Sequence, residues 1–457
     1  MSEHITTDIL IVGWGKAGKT LAGALGRAGR GVTLVERSES MIGGTCINIG
    51  CVPTKALVHQ AELRRPGDDP ATWFDAAVER RDSLIDRLNA ANRAMLEPID
   101  QVRLVVGATA AFVGDRRVRV TAGGAQLEIS ADTVIVNTGA VPRRLEVPGA
   151  DGPRVHDSTS LQHVSPFPAR LAIIGSGAIG LEFASMFAQF GSAVTLIDRG
   201  ERLLRGEDED VAASVRQALT DQGVTILHGA TTTRIDDDGT QATVRTTSGD
   251  VPADAVLSAV GRVAATAGLG LDAAGIAVDA RGAIEVDDLL RTSAPGVFAV
   301  GDVNGGPQQT YVSYDDHRIV LAQLTGGAPR SRADRVAVPT TVFTTPPFAR
   351  VGWSEREARE AGADIVVHAK PVAQIAAMPR PKTLGETHGI IKLVVDRGTD
   401  QVLGAALHTV DAQELVNLIA LAMRTGTTAS ALRDGIWTHP STTEALNEVL
   451  AFTPAGR

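Results

Sequence analysis

The feature that most constrains this chain is a pattern that occurs twice. In the first copy, the apolar run "DILIV" at residues 8–12 leads into Gly13-x-Gly15-x-x-Gly18. A helix-forming segment, "KTLAGALGRAG", and a second apolar run, "VTLVE", follow. In the second copy, "LAIIGSGAIGLEFASMFAQFGSAVTLID" at 171–198 sets Gly175, Gly177 and Gly180 in the same places. Glu36 and Asp198 each lie 23 residues beyond the first glycine of their copy. Such a strand–turn–helix–strand unit has a physical logic. The glycines allow a tight turn, close approach of a pyrophosphate and tight helix–strand packing. The helix N-terminus then faces the phosphates, and the acid accepts from a ribose hydroxyl. Two such units predict an α/β fold with two Rossmann-like dinucleotide-binding domains, and the simplest use of two dinucleotides is to pass electrons between them.

The first copy also fits a competing pattern. "GWGKAGKT" at 13–20 reads as G-x-x-x-x-G-K-T, a P-loop for a nucleoside triphosphate. The second copy has no GKT, so what the copies share is the dinucleotide pattern, and Lys19 and Thr20 are incidental to it. The duplication continues. "VRLVVGATAAFVGDRRVRV" before "TVIVNTGA" parallels "VTILHGATTTRI" and "TQATVRTTSG" before "AVLSAVGR". Each reads as a β-meander followed by a strand ending in glycine, Gly139 and Gly261.

At 457 residues, two to four domains are expected. Aromatics are 4% and net charge is −9, which argues against a base-stacking or polyanion-binding surface. We find no run of 18 apolar residues. "MSEHITTDILIVG" lacks the basic region and long apolar stretch of a signal peptide. The expectation is a cytoplasmic enzyme that binds neither nucleic acid nor membrane.

The only cysteines are Cys46 and Cys51, in "GGTCINIGCVPTK" at 43–55. Two thiolates do not complete a structural zinc site, which wants four ligands, so no metal site is predicted. A regular helix would separate the pair by about 7.5 Å in rise alone. The segment is therefore expected to be looped or distorted, with Gly43, Gly44 and Gly50 making this feasible. Pro53 suits the first turn of a helix through "TKALVHQAELRR", which puts Cys51 at a helix N-terminus where a thiolate is favoured. Redox-active thiols and two buried small hydrophobes are the readings to separate.

"GGTCINIGCVPTK" resembles the redox-disulfide signature of the pyridine nucleotide-disulfide oxidoreductases, which include glutathione reductase, dihydrolipoamide dehydrogenase and mercuric reductase. The resemblance covers essentially the whole chain. It implies FAD in a domain over 1–152, NAD(P)H in a domain over 153–284, a central segment 285–334 completing the FAD domain, and an α+β interface domain over 335–457. It implies a Cys46–Cys51 redox disulfide, with Cys51 contacting the flavin and Cys46 attacking the acceptor. Lys55 matches the lysine beside the flavin and Glu182 its ion-pair partner. Gly44, Thr45, Thr138 and Gly139 match positions near FAD. Asp302 in "VFAVGD" is expected on the ribityl chain.

Near the C-terminus, "HPSTTE" resembles the family's H-P-T-x-x-E. The resemblance makes His439 an acid–base for Cys46, oriented by Glu444, and supplied across a homodimer. A local reading competes for Glu444: Ser441 caps a helix and Glu444 completes a capping box. The interface module is predicted to contain strands "IVVHA", "IIKLVV" and "VLGAALH" and helices near 354–361 and 411–424.

Within the family, no third cysteine is present, so mercuric reductase's second pair is missing. Trp437 and Thr438 replace the His-Ala of dihydrolipoamide dehydrogenase. "GKAGKTLA", "TYVSYDDHRIV" and "VFTTPPFARVG" are most similar to the reactive-chlorine resistance flavoproteins, linked to oxidant stress and Cu(II) reduction. Lipoamide, glutathione disulfide, mercuric ion or a quinone are alternative acceptors. A different class, a thiol redox sensor with little turnover, would not need both dinucleotide sites together with His439. Asp198 favours NADH over NADPH, since Arg199 has a counterpart in Arg37 of the FAD unit. Ala178 stands where the family often has a bulky tyrosine over the nicotinamide, which suggests an open pocket.

Overall fold

A computed structural model describes residues 3–451. The chain divides into two compact units: Met1–Leu57 with Asp75–Arg143 and Gly261–Arg335, and Val58–Phe74 with Arg144–Val260 and Val336–Arg457.

The first unit is built on one mixed sheet. Strands Val102–Val106, Val32–Glu36, Glu3–Val12, Ala125–Val136 and Val297–Ala299 lie side by side in parallel. Ile9, Leu10 and Ile11 are fully buried and Val32–Glu36 is buried throughout. That is what a parallel strand covered on both faces requires, and it explains the continuous apolar runs. Helix Lys16–Arg27 packs its Ala17, Leu21, Ala22 and Leu25 into the same core as Ile9, Ile11 and Leu34. Strands Thr109–Gly114 and Arg117–Ala122 extend the sheet antiparallel from Ala125–Val136.

The sequence-level reading placed "VRLVV" in the meander. Instead, Val102–Val106 pairs in parallel with Val32–Glu36. The second unit shows the same departure: Thr225–Leu227, from "VTILHG", pairs in parallel with Ala193–Ile197. An apolar run of three to five residues does not reveal whether its partner runs with or against it. The meander also differs between copies. Ala125–Val136 is one continuous strand that serves both meander and parallel sheet, whereas Gly249–Ala253 and Ala255–Ser258 are separate strands in separate sheets.

In the second unit, the parallel order is Thr225–Leu227, Ala193–Ile197, Arg170–Ile174, Ala255–Ser258 and Val155–His156. The C-terminal module carries a five-stranded antiparallel sheet in which Val402–His408 is flanked by Phe348–Gly352 and Ile390–Asp396, with Ile365–Pro371 at one edge. Helices Glu355–Glu360 and Ala412–Thr425 form where expected. Lys392, buried on the Ile390–Asp396 strand, is surrounded by Asp208, Asp210 and Glu355 at 3.1, 3.0 and 2.9 Å. No helix among the described residues is long and apolar enough to cross a membrane.

Candidate functional site

The two glycine turns are near copies in geometry. Gly13 has φ +104° and Gly175 φ +107°, values that favour glycine. A Cβ on Gly13 would lie 2.4 Å from the carbonyl oxygen of Asn137, and one on Gly175 would lie 2.6 Å from that of Ala259. These are equivalent positions, one residue beyond the neighbouring strands Ala125–Val136 and Ala255–Ser258. Gly18 and Gly180 likewise press on the carbonyls of Gly13 and Gly175, with a Cβ at 2.7 and 1.9 Å. Gly15 and Gly177 are the N-caps of their helices, and neither helix has a side-chain cap. The earliest amides of each helix are thus left for a phosphate, though Gly18 N–H is already taken by Asn137, and a Cβ on Gly177 would meet nothing within 4 Å.

The two acids differ. Glu36 accepts from Trp14 N–H through Oε2 at 2.9 Å and from Ser38 N–H through Oε1 at 3.2 Å. Burial nonetheless pushes its carboxyl above the ordinary value. Asp198 accepts from Gly200 N–H through Oδ1 at 3.0 Å, but its buried Oδ2 has no partner. An unpaired buried carboxylate oxygen is costly, and a ribose hydroxyl is the donor this position suits. Arg199 beside it is exposed. Ala178, at the start of the helix, is exposed too.

Asn137, not singled out in the sequence, ties the first turn together. Its Oδ1 accepts from Gly18 N–H at 2.9 Å and its Nδ2 donates to Val300 O at 2.8 Å. Next to it, Thr138 Oγ1 donates to Ala265 O at 2.9 Å, and Gly139 has φ +73°. Gly261 ends the corresponding segment of the second copy with φ +109°. Gly44, at φ +82°, approaches so closely that a Cβ there would lie 2.7 Å from Gly15 Cα. Thr45 opens the short helix Thr45–Asn48. Asp302 sits on the turn Gly301–Asn304, and burial raises its carboxyl to about 6, with Arg262 opposing and Cys51 and Asp316 adding to the rise. Asp316 holds this turn by accepting from Gly301 N–H at 2.6 Å. That is a role for "TYVSYDDHRIV", which forms the helix Thr310–Thr325.

The cysteines lie on two helices. Cys46 is on Thr45–Asn48 and Cys51 opens Cys51–Leu63. The distortion expected between them is at Ile49 and Gly50, whose N–H groups both donate to Thr45 O, at 3.0 and 2.7 Å. Cys46 is half-buried and Cys51 exposed, so they are not two buried hydrophobes. Cys46 hydrogen-bonds to Cys51; that bond, burial and the charge of Cys51 push the Cys46 thiol well up, with Thr310 and Lys19 opposing. Cys51 Sγ lies 3.6 Å from Thr310 Oγ1. Cys51 stands at a helix N-terminus, a position that favours a thiolate. Lys55 is half-buried on the same helix. Among the described residues, no group of three or more His, Cys, Asp or Glu side chains is arranged to hold a metal ion.

In the second unit, Glu182 is buried and accepts from Phe343 N–H at 3.0 Å. Near the C-terminus, His439 Nδ1 is 2.9 Å from Glu444 Oε1, and Glu444 Oε2 accepts from Ser441 N–H at 2.8 Å. The capping-box reading needs correction. The helix is Ala445–Val449, Glu444 is its N-cap, and the Ser441 hydroxyl has no partner. Burial would raise the Glu444 carboxyl, but the bonds from His439 and Ser441 hold it below its ordinary value.

Two dinucleotides thus fit the turns, the unpaired Asp198 oxygen and the Gly15–Gly44 contact. Comparison with known proteins agrees. Residues 7–316 match the family described as pyridine nucleotide-disulphide oxidoreductase, and residues 338–450 match its dimerisation domain. The chain is 44% identical to the probable pyridine nucleotide-disulfide oxidoreductase RclA of Escherichia coli, over 97% of this chain and 98% of the relative. It is 32% identical to a dihydrolipoyl dehydrogenase of Geobacillus stearothermophilus, over 97% and 95%. It is also similar to the solved Cu(II) complex of the HOCl-induced flavoprotein disulfide reductase RclA from Escherichia coli, with a TM-score of 0.93 at 42% identity, covering 98% of this chain and 99% of that one. The chain belongs to the pyridine nucleotide-disulfide oxidoreductases, an FAD-dependent, NAD(P)H-binding family.

Proposed function

We propose that the protein takes electrons from NADH in preference to NADPH, passes them to the Cys46–Cys51 pair, and delivers them to an acceptor in defence against reactive chlorine or Cu(II) stress. The observation that carries this reading is the thiol pair itself, hydrogen-bonded and with Cys51 at a helix N-terminus. The HOCl-induced, Cu(II)-complexed relative supports the class of stress. A soft thiolate pair is chemically suited to donate to Cu(II).

Bound FAD supplies the two-electron relay between nicotinamide and sulfur. Gly13, Gly15, Gly18, Glu36, Gly44, Thr45, Thr138, Gly139 and Asp302 hold it, within a domain over 1–152 completed by 285–334. Gly175, Gly177, Gly180, Asp198 and Gly261 hold the nicotinamide dinucleotide within 153–284. Lys55 and Glu182 act as an ion pair beside the flavin. Cys51 carries the thiolate and Cys46 is the interchange thiol. In a homodimer built on 335–457, His439 of the partner subunit moves the proton at Cys46 Sγ, and Glu444 fixes its ring through Nδ1. The deciding experiment is steady-state NADH and NADPH oxidation against Cu(II), Hg(II), glutathione disulfide, lipoamide and quinones. Copper-dependent turnover with NADH supports the reading. Fast turnover on lipoamide or glutathione disulfide alone would replace it with a housekeeping reductase. Negligible turnover on all of them would indicate a sensor.

A further inference from the structure

The turn that follows Asp198 is shaped from outside its own glycine unit. Residues 198–208 connect the strand Ala193–Ile197 to the helix Glu209–Asp221. The sheet secures the start of the turn: Ala230 N–H donates to Asp198 O at 3.0 Å and Gly229 N–H to Gly200 O at 2.9 Å. Gly200 N–H holds Asp198 Oδ1, which leaves Oδ2 for a ligand. Arg205 folds back over this glycine, so that a Cβ on Gly200 would lie 2.8 Å from Arg205 Cζ. Arg202 braces the turn from within, donating through Nη2 to the carbonyls of Arg205 and Glu207 at 3.2 and 3.1 Å. Leu204 takes φ +47°, a conformation that residues other than glycine keep only where their surroundings impose it.

The C-terminal module supplies those surroundings. Arg356, on helix Glu355–Glu360, donates through Nη1 to Arg205 O at 3.3 Å and through Nη2 to Gly206 O at 2.9 Å. Asp208 returns the contact, accepting from the backbone N–H groups of Glu355 and Arg356 at 3.0 and 3.1 Å. Arg350 takes the residue between, with Nη1 3.0 Å from Glu207 Oε1. Its Nη2 donates to Gly352 O and Glu357 Oε2 at 2.8 and 2.9 Å. Residues 205–208 are thus each held from the part of the chain that matches the dimerisation domain.

We propose that Arg356 is a positioning residue for the nicotinamide dinucleotide: by holding Arg205 O and Gly206 O from the C-terminal module, it keeps Arg205 closed over Gly200 and Asp198 Oδ2 presented to the adenosine ribose. This rests on the reading of Asp198 as the ribose acceptor. A guanidinium suits the task because its planar fork reaches two neighbouring carbonyls at once. Its charge also faces Glu360, 3.9 Å away. Coenzyme affinity then depends on a residue that touches no part of the coenzyme.

The test is calorimetric titration of the oxidised holoenzyme with NAD+, which carries the same adenosine ribose and cannot reduce the flavin. Stopped-flow reduction by NADH gives the limiting hydride-transfer rate alongside. Arg356→Ala is expected to raise Kd about fivefold or more, within the range for residues that share a hydrogen-bond network. Flavin content and the limiting rate should stay as in the wild type. Asp198→Ala should raise Kd too, and Arg356→Ala added to it should raise Kd little further, because one acts through the other. Arg356→Lys keeps the charge but cannot span both carbonyls, so it should also weaken binding, and it decides the matter if the alanine variant does not fold. Arg359→Ala removes a cation that pairs with Glu355 on the same helix, and should leave Kd unchanged. An unchanged Kd in Arg356→Ala, a lysine variant equal to the wild type, an Arg359→Ala variant as weak as Arg356→Ala, or Arg356 and Asp198 effects that simply add, overturns the proposal. Failure of the ribose reading shows separately, as an Asp198→Ala variant that binds NAD+ like the wild type, and takes the proposal with it.

Discussion

Glu444 serves His439 and Ser441 with separate oxygens: Oε1 meets His439 Nδ1 at 2.9 Å while Oε2 accepts from Ser441 N–H at 2.8 Å. The capping box does not form, but the backbone bond from Ser441 and the contact with His439 coexist on one carboxylate. The backbone bond fixes the carboxylate, and the carboxylate fixes the imidazole.

Glu444→Gln removes the charge but keeps an acceptor for Ser441. It should lower acceptor turnover by about 100-fold, in the range of general acid–base effects, while leaving the rate of flavin reduction by NADH within twofold. His439→Ala should do the same. Stopped-flow separation of the two half-reactions checks this, and equal loss in both would contradict the role.

Cys51 and Cys46 are expected to separate spectroscopically. Titration with NADH should produce a long-wavelength absorbance band from the Cys51 thiolate against flavin. Cys51→Ser should abolish the band, and Cys46→Ser should retain it. The reverse pattern would exchange the roles of the two thiols.

Asp198 Oδ2 is the buried acceptor awaiting a donor. Asp198→Ala should raise KM for NADH about tenfold or more, the range for a hydrogen bond to a charged group, with kcat little changed. KM for NADPH should respond less. Steady-state kinetics with both donors decides, and an equal rise for each would remove the ribose assignment.

Lys392 is the buried centre of three carboxylates, so Lys392→Met takes its cation from Asp208 and Asp210 and leaves Glu355 with Arg359 at 2.8 Å. The loss should be about 3 to 5 kcal/mol of stability at neutral pH. The pH dependence has a definite sign. Burial acts to raise Asp208 and Glu355, but hydrogen bonds, Lys392 among their donors, hold both below their ordinary values. Their contribution is present above the unfolded carboxylate range and fades as pH falls through the folded values. Denaturant melts from pH 3 to 7 should show a steep acid limb in the wild type and a flatter one in the variant.

The dinucleotide turns were legible because their constraints are local. Gly13 and Gly175 need positive φ, and Gly18 and Gly180, five residues on, press on their carbonyls; that spacing is written in the chain. The helix start at Cys51 was legible for the same reason. What stayed hidden depends on partners remote in sequence. Asn137 reaches Gly18 across 119 residues and Val300 across 163. Asp316 gains its role only when its helix meets Gly301. Val102–Val106 was misread because a strand's direction relative to its neighbour leaves no trace in a short apolar run.

The first sheet takes its last parallel strand from Val297–Ala299, which lies beside Ala125–Val136. About 160 residues separate the two in the chain. At the speed of translation the wait is roughly 10 to 30 s, and the whole second glycine unit emerges during it. Throughout that interval the nascent first module has a bare hydrogen-bonding edge open to chaperones and neighbouring chains. The module matures only after its insert has left the ribosome.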